Sequence, residues 1–356
     1  MFDEAQGCWI WARGITRQVQ SDWLTKYLFG FGYFDGDEEI LRRVLSVREM
    51  LGTRTAPLIF WTLVWGASVR KEIQVAEGIA LFPFEETKFA SPNDSERWRL
   101  PNLQPVLGAY TSNVSEQPAL VIAQKALTFP FLTKDRIDQE LAFYDVVRRN
   151  DIVCKGIVVF GTGGPIVDIS WAEYESLNLE SFMYDIKRAW RMPEIVPSKV
   201  SILEISENHF STAMASLLIK KDQWQNKLLK SMERFEVSVS RRNIGDQAVD
   251  LCIAFEQLMG TETGPKSGPV SLRCAGLMGG TAKQRLRVRD IIEALYKLRN
   301  KVVHGGELPQ SVKTRTQGAI SAQIVVQAAI VIFREVCRKM LDFDFSPDWY
   351  RIELQQ

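Results

Sequence analysis

The arrangement of apolar and polar positions changes character near residue 211. Before that point short apolar runs are broken by turn residues. Leu58–Trp65, Ile73–Phe82 and Ala119–Ala123 predict strands, with Ser91–Pro101 as a polar loop between them. Ile152–Phe160 and Ile166–Ser170 read as two strands of a hairpin around Gly161-Thr-Gly-Gly-Pro165, and Lys199–Ile205 as a last strand. Two helices interrupt this pattern. One spans Asp37–Leu51, capped by Asp37 and ended by Gly52, with Ile40, Leu41, Val44, Leu45 and Val47 as its apolar residues. The other runs from about Glu173 to Arg191, before Pro193 and Pro197. The aromatics of residues 1–35 predict an aromatic core around turns, with a base-stacking surface as the alternative.

After residue 211 strand patterns disappear and the period becomes helical. A helix over 222–241 buries Trp224, Leu228, Met232 (or Ser231), Phe235 and Val239. Asp246 is expected to cap a second helix over 247–259, apolar nearly all round and therefore central in a bundle. A flexible loop over Gly260–Gly268 leads to a short helix over 270–278, then to helices over 281–303 and 315–341. The expected fold class is α+β: a mixed, strand-rich domain over 1–210, then an all-α bundle over 211–356.

Composition agrees with a globular protein, at 46% hydrophobic and 24% charged residues. The net charge is only +1, but it is unevenly spread: −4 over residues 1–221 and +5 over 222–356. Cys8, Cys154, Cys252, Cys274 and Cys337 show no CxxC spacing, so free thiols are expected, with no zinc site and no disulfide framework. Met1-Phe-Asp-Glu does not read as a signal peptide. The apolar stretches Ala56–Gly66 and Gly318–Phe333 read as core, since the first is short and the second carries Ser321, Gln323 and Gln327. A soluble, cytoplasmic protein without membrane contact is expected. Gly30–Gly36 and Gly264-Pro-Lys-Ser267 lack the spacing of dinucleotide and phosphate loops.

The stretch Leu295-Tyr-Lys-Leu-Arg-Asn-Lys-Val-Val-His-Gly-Gly306 carries one of only 2 histidines in the chain. With Leu295 at zero, Val288, Ile291, Ile292, Leu298 and Val302 fall within roughly 60° of it at 100° per residue. Arg299 falls at about 40°, inside this apolar stripe. A guanidinium there needs a partner, because leaving it buried and unpaired costs too much. Glu256 interrupts the apolar face of the preceding helix, with Asp250 as the other acid beyond the cap, and a Glu256–Arg299 ion pair is expected. His304 lies about 140° from Arg299 on a regular helix. The two converge only if the helix distorts or ends before His304, or if two protomers share a site. Residues 266–301 hold nine basic side chains against two acids, a surplus suited to a polyanion.

Arg299-Asn-Lys-Val-Val-His304 resembles the R-(polar)-x3-H motif of the HEPN superfamily (higher eukaryotes and prokaryotes nucleotide-binding). Together with Arg234-Phe235 and Asp246–Leu258, it is similar to the ApeA-like branch over about residues 211–345. The N-terminal 210 residues carry no such resemblance. The resemblance implies a metal-independent endoribonuclease without cofactor, in which the 2′-hydroxyl attacks the adjacent phosphorus. His304 would be the general acid/base, Arg299 would stabilise transition-state charge, and Asn300 would orient substrate or histidine. Glu256 and Asp250 would support the site, and Lys283, Arg285, Arg287, Arg289, Lys297 and Lys301 would hold RNA. It further implies a homodimer or higher homo-oligomer whose sites form where two motifs meet. Such proteins act in anti-phage defence or toxin systems on tRNA or other RNA, with the N-terminal domain sensing a trigger or a partner protein. The alternatives are a non-catalytic HEPN module that binds a nucleotide or RNA and assembles with a partner, and a helical dimerisation scaffold serving an N-terminal function.

Overall fold

The computed structural model describes residues 9–12, 15–18, 38, 41–45, 48, 55–87, 119–130, 136–161, 166–175, 184–189, 207–219, 222–260, 267–305, 307–343 and 346–354. The expected strand Lys199–Ile205, the loop 91–101 and most of the aromatic segment lie outside these residues. The described residues of 37–51 are helical.

Six strands form one antiparallel sheet in the order β4-β5-β6-β3-β7-β8. They are β3 (Thr55–Trp65), β4 (Ile73–Ala76), β5 (Ile79–Pro83), β6 (Ala119–Pro130), β7 (Ile166–Tyr174) and β8 (Tyr184–Ala189). A separate hairpin pairs β1 (Trp9–Ala12) with β2 (Ile15–Gln18). The expected helix over 173–191 is corrected here, since β7 reaches Tyr174 and Tyr184–Ala189 is a strand at the sheet edge.

The second correction is larger. Ile152–Phe160 is the end of a 25-residue helix, α1 (Arg136–Phe160), and pairs with no strand. Residues 152–160 are all buried, which explains the misreading. A helix enclosed on every side has no polar face to reveal its period, and its run of Ile and Val looks like a buried strand. The end of α1 lies between the sheet and the helical half. Asn150 Nδ2 donates to Thr62 Oγ1 of β3 at 2.8 Å. On the opposite side, Gly156 lies so close to the Met214 sulfur that a Cβ would have no room.

The remaining helices are α2 (Glu207–Ile219), α3 (Gln223–Val239), α4 (Ile244–Met259), α5 (Ser267–Met278), α6 (Ala282–Gly305), α7 (Ala322–Leu341) and α8 (Trp349–Leu354). Asp222 caps α3 by accepting from Gln225 N at 2.7 Å. Asn243, not Asp246, caps α4, its Oδ1 accepting from Gly245 N and Asp246 N. Asp246 sits in the first turn, where its charge suits the helix dipole. Phe333 of α7 stacks on Phe235 of α3, with centroids 4.4 Å apart, and meets Phe255 of α4 edge-on. This triad is the centre of the bundle.

The expected helix over 315–341 begins only at Ala322. Before it comes a hairpin, β9 (Ser311–Thr314) with β10 (Gly318–Ser321). Gly318 has φ +71, which a turn tolerates readily only in glycine.

One continuous cluster of buried apolar residues runs from Val64 in the sheet to Leu341 in α7. Residue 210 lies inside α2, where Phe210 packs edge-on against Phe160 at 5.3 Å. Across the same seam Arg338 of α7 donates to Phe160 O at 2.8 Å and Val159 O at 3.2 Å, and Arg334 Nε donates to Val158 O at 3.3 Å. These arginines satisfy carbonyls that the end of α1 leaves open, with positive charge at the negative end of its dipole. The architecture is α+β. Among the described residues no helix is long and apolar enough to cross a membrane.

Candidate functional site

Helix α6 carries the Arg299–His304 stretch, and its start is fixed by Thr281. The Thr281 hydroxyl accepts from Gln284 N, while Gln284 Oε1 takes Thr281 N at 2.8 Å. This is a reciprocal cap with glutamine in the third position. The helix continues through His304 to Gly305. It therefore does not end before the histidine, and the separation of about 140° from Arg299 persists within one chain.

Arg299 points toward α4, which runs antiparallel to α6. At one end, a Cβ on Gly245 would lie 3.1 Å from Val302 Cγ2. Two turns along α4, Cys252 feels both Glu256 and Arg299. Burial pushes its thiol far above the ordinary range; Glu256 adds to the rise and Arg299 opposes it. Tyr296, one turn before Arg299 on α6, is shifted upward by burial first and by neighbouring acids, including Cys252 and Glu256, second. Its hydroxyl lies beside Glu256 without closing a well-formed hydrogen bond. Arg299 is half-buried, its Nε enclosed with no acceptor among the described residues. Its Nη1 donates to Asn300 Oδ1 at 3.4 Å.

Glu256 and Arg299, the pair expected from sequence, both border Cys252. Asp250 binds two arginines. Its buried carboxylate pairs with Arg234 of α3 through Oδ1 and with Arg241 through Oδ2, the latter at 2.9 Å. Gln247 Nε2 holds Arg241 O at 2.9 Å, and Ser238 Oγ donates to Gln247 O at 3.0 Å, so the α3–α4 corner is fixed by side chains. Asp250 positions the helix that faces Arg299. Tyr296 and Cys252 are brought together by the antiparallel packing of α4 on α6, which the sequence pattern does not show, and Arg241 by the tight α3–α4 corner.

His304 is exposed and occupies the other side of α6. Relative to it, Lys297 lies at about 20°, Asn300 at about 40° and Lys301 at about 60° around the axis. Asn300 thus stands between the two motif residues, with its Oδ1 accepting from Arg299.

The basic residues divide in the same way. Arg273 is nearly buried, bound to Glu353 at 2.7 Å and to Met259 O, with Trp349 under its guanidinium at 4.9 Å. Arg289 is paired with Glu293 at 2.9 Å, and Arg285 Nη1 donates to Gly280 O at 3.0 Å. Lys283, Arg287, Lys297 and Lys301 are exposed. Lys266 lies outside the described residues. The charge surplus facing solvent is thus smaller than the sequence count and is concentrated on fewer positions. The described cysteines, Cys154, Cys252, Cys274 and Cys337, are free and buried, and no group of acids, histidines and cysteines suited to a metal occurs among the described residues. Comparison with protein-family models, curated proteins and solved structures finds no match to this chain.

Proposed function

We propose that the protein is a HEPN-type endoribonuclease that cuts RNA through attack of a 2′-hydroxyl, with the working site assembled between two copies of the chain. The observation that carries this reading is the position of the motif at the end of α6. Arg299 presents a half-buried guanidinium whose Nε has no acceptor among the described residues, and His304 is exposed beside Lys297 and Lys301. An enclosed cationic donor facing a phosphorane-like transition state is worth far more than one in water.

In this mechanism a histidine takes the proton of the 2′-hydroxyl as its oxygen bonds to phosphorus. The bond from phosphorus to the 5′-oxygen breaks, and that oxygen receives a proton from a general acid. The products are a 2′,3′-cyclic phosphate and a free 5′-hydroxyl. Arg299 neutralises the developing charge on the non-bridging oxygens, and Asn300 holds Arg299. A role in anti-phage defence or as a toxin, with tRNA or other host RNA as target and the N-terminal sheet receiving the trigger, extends this reading by family resemblance.

The separation of Arg299 from His304 on a continuous helix favours a second reading, a HEPN module that binds RNA or a nucleotide and assembles with a partner without turnover. Complementation distinguishes the two. Arg299→Ala and His304→Ala should each abolish cleavage that in the wild type persists in EDTA. A mixture of the two inactive chains should recover about a quarter of wild-type activity, because one of the two sites in each mixed dimer would be intact. Retained cleavage by either single variant sinks the catalytic assignment. Inactive singles with no recovery on mixing place the site within one chain.

A further inference from the structure

The connection between α6 and α7 takes residues 306–321, well beyond the roughly 2–8 residues that neighbouring helices need. It folds into the β9–β10 hairpin, which lies along one face of α6. Thr316 N donates to Asp290 Oδ2 at 2.6 Å. Arg315 reaches Glu293 at 3.3 Å, and Lys297 Nζ donates to Lys313 O at 3.3 Å. At the base, Ala322 N donates to Gln310 O at 3.0 Å. Positions 290, 293 and 297 are successive turns of one face, and the same row continues to Lys301 and His304.

The acids of this row are occupied. Asp290 is buried and receives the Thr316 N–H, while Glu293 is shared by Arg289 and Arg315. Along the row toward His304 the exposed charged side chains are Lys297 and Lys301, with Lys313 on the strand; Glu307 is exposed just past the helix end. Strand β9 alternates, with Val312 and Thr314 inward and Ser311 and Lys313 outward, so Lys313 projects to solvent beside Lys297. Val312 explains why the hairpin packs on the bundle. It does not explain a buried carboxylate spent on fixing the tip or the lysines left on the rim.

We propose that the β9–β10 hairpin and the α6 row beneath it form a ledge that holds the phosphodiester backbone of single-stranded RNA on one side of His304. The proposal rests on the ribonuclease reading for its substrate and adds the residues that seat it: Lys297, Lys301 and Lys313. From His304 to Lys297 is roughly 10 Å along the helix. The ledge thus grips the substrate at a fixed offset from the scissile phosphate.

The test uses the full chain carrying His304→Ala, so that binding is read without cleavage. Anisotropy of a labelled single-stranded oligoribonucleotide is followed against salt for this protein and for the same chain with Lys297→Ala and Lys313→Ala. The expected result is an affinity loss of about tenfold and a log–log salt slope shallower by roughly 1.4, the value for two lost phosphate contacts on a single strand. Lys71→Ala with Lys230→Ala, two exposed lysines elsewhere in the chain, should leave both quantities unchanged. An unchanged affinity and slope in the Lys297/Lys313 variant overturns the ledge while leaving the catalytic reading intact. Equal losses in the control pair also overturn it, since binding would then follow overall charge. No binding of RNA by the His304→Ala chain, with an unaltered melting curve, overturns the ledge together with its substrate.

Discussion

Val302 and Gly245 set how closely α6 and α4 approach. A side chain at Gly245 would place its Cβ 3.1 Å from Val302 Cγ2 and 2.9 Å from Asn243 Oδ1, the atom that caps α4. Only two residues after Val302 comes His304, so this contact fixes the last turn of α6.

Gly245→Ala therefore opposes two effects. Alanine in a helix gains about 1 kcal/mol over glycine, while forcing a methyl into a packed contact costs about 1–3 kcal/mol. Contacts this tight should make the balance destabilising by about 1 kcal/mol in denaturant unfolding. Adding Val302→Ala should recover the helix-propensity gain. A stabilised Gly245→Ala single variant would show that the helices have room to part.

Asp250 is held by two arginines, each about one-third exposed, whereas its own carboxylate is almost wholly buried. Removing Arg234 or Arg241 alone leaves one partner, and each loss should cost about 1 kcal/mol. Removing both orphans a buried charge, so the double variant should lose more than the sum, by about 1–2 kcal/mol. Additive losses in chemical denaturation would mean that the carboxylate is hydrated.

Arg338 ties the sheet half to the bundle. It binds two carbonyls at the end of α1, pairs with Glu335 at 2.6 Å and lies over the Phe160 ring at 5.4 Å. Arg338→Ala should lower stability by about 2 kcal/mol, and Arg338→Lys should rescue little, since one ammonium cannot replace the planar fork. A single melting transition is expected in the wild type, because the apolar core crosses this seam. Two separate transitions in calorimetry would contradict that coupling.

The buried thiols give a pH dependence. Burial raises Cys154, Cys274 and Cys252 well above the ordinary thiol value, and raises Cys337 to about 12. For an acid whose folded pKa is raised, the folded state retains a proton that the unfolded state releases. Stability is then full below about pH 9 and falls as pH rises through the window up to the folded pKa. Each such thiol should contribute about 1 kcal/mol of loss per pH unit there. Urea midpoints measured from pH 8 to 11 should fall, and Cys337→Ala should shallow the fall; an unaltered slope in that variant would remove Cys337 as a cause.

Helices α3 and α6 are legible because each shows a polar face, and the sequence places both within a few residues of their ends. Elements whose surroundings hide the period are not legible. The end of α1 has no solvent face, and the β9–β10 hairpin is too short to interrupt the apolar run that leads into α7. Asn243 is hidden as a cap in the sequence because Ile244 and Gly245 look like loop residues, and only the structure starts the helix there.

The motif, the position of Arg299 on an apolar stripe and the angle between Arg299 and His304 follow from spacing along one helix and are readable in the residues alone. Tertiary structure alone decided what each residue faces. It gave Asp250 the arginines and left Arg299 beside Cys252 and Glu256. It also put His304 on the side of the hairpin and drew Arg273 and Arg289 out of the basic surplus. Helical periodicity is a local property that residue spacing carries, whereas partners depend on which helices pack antiparallel and how closely, and that is set by contacts such as Gly245 on Val302.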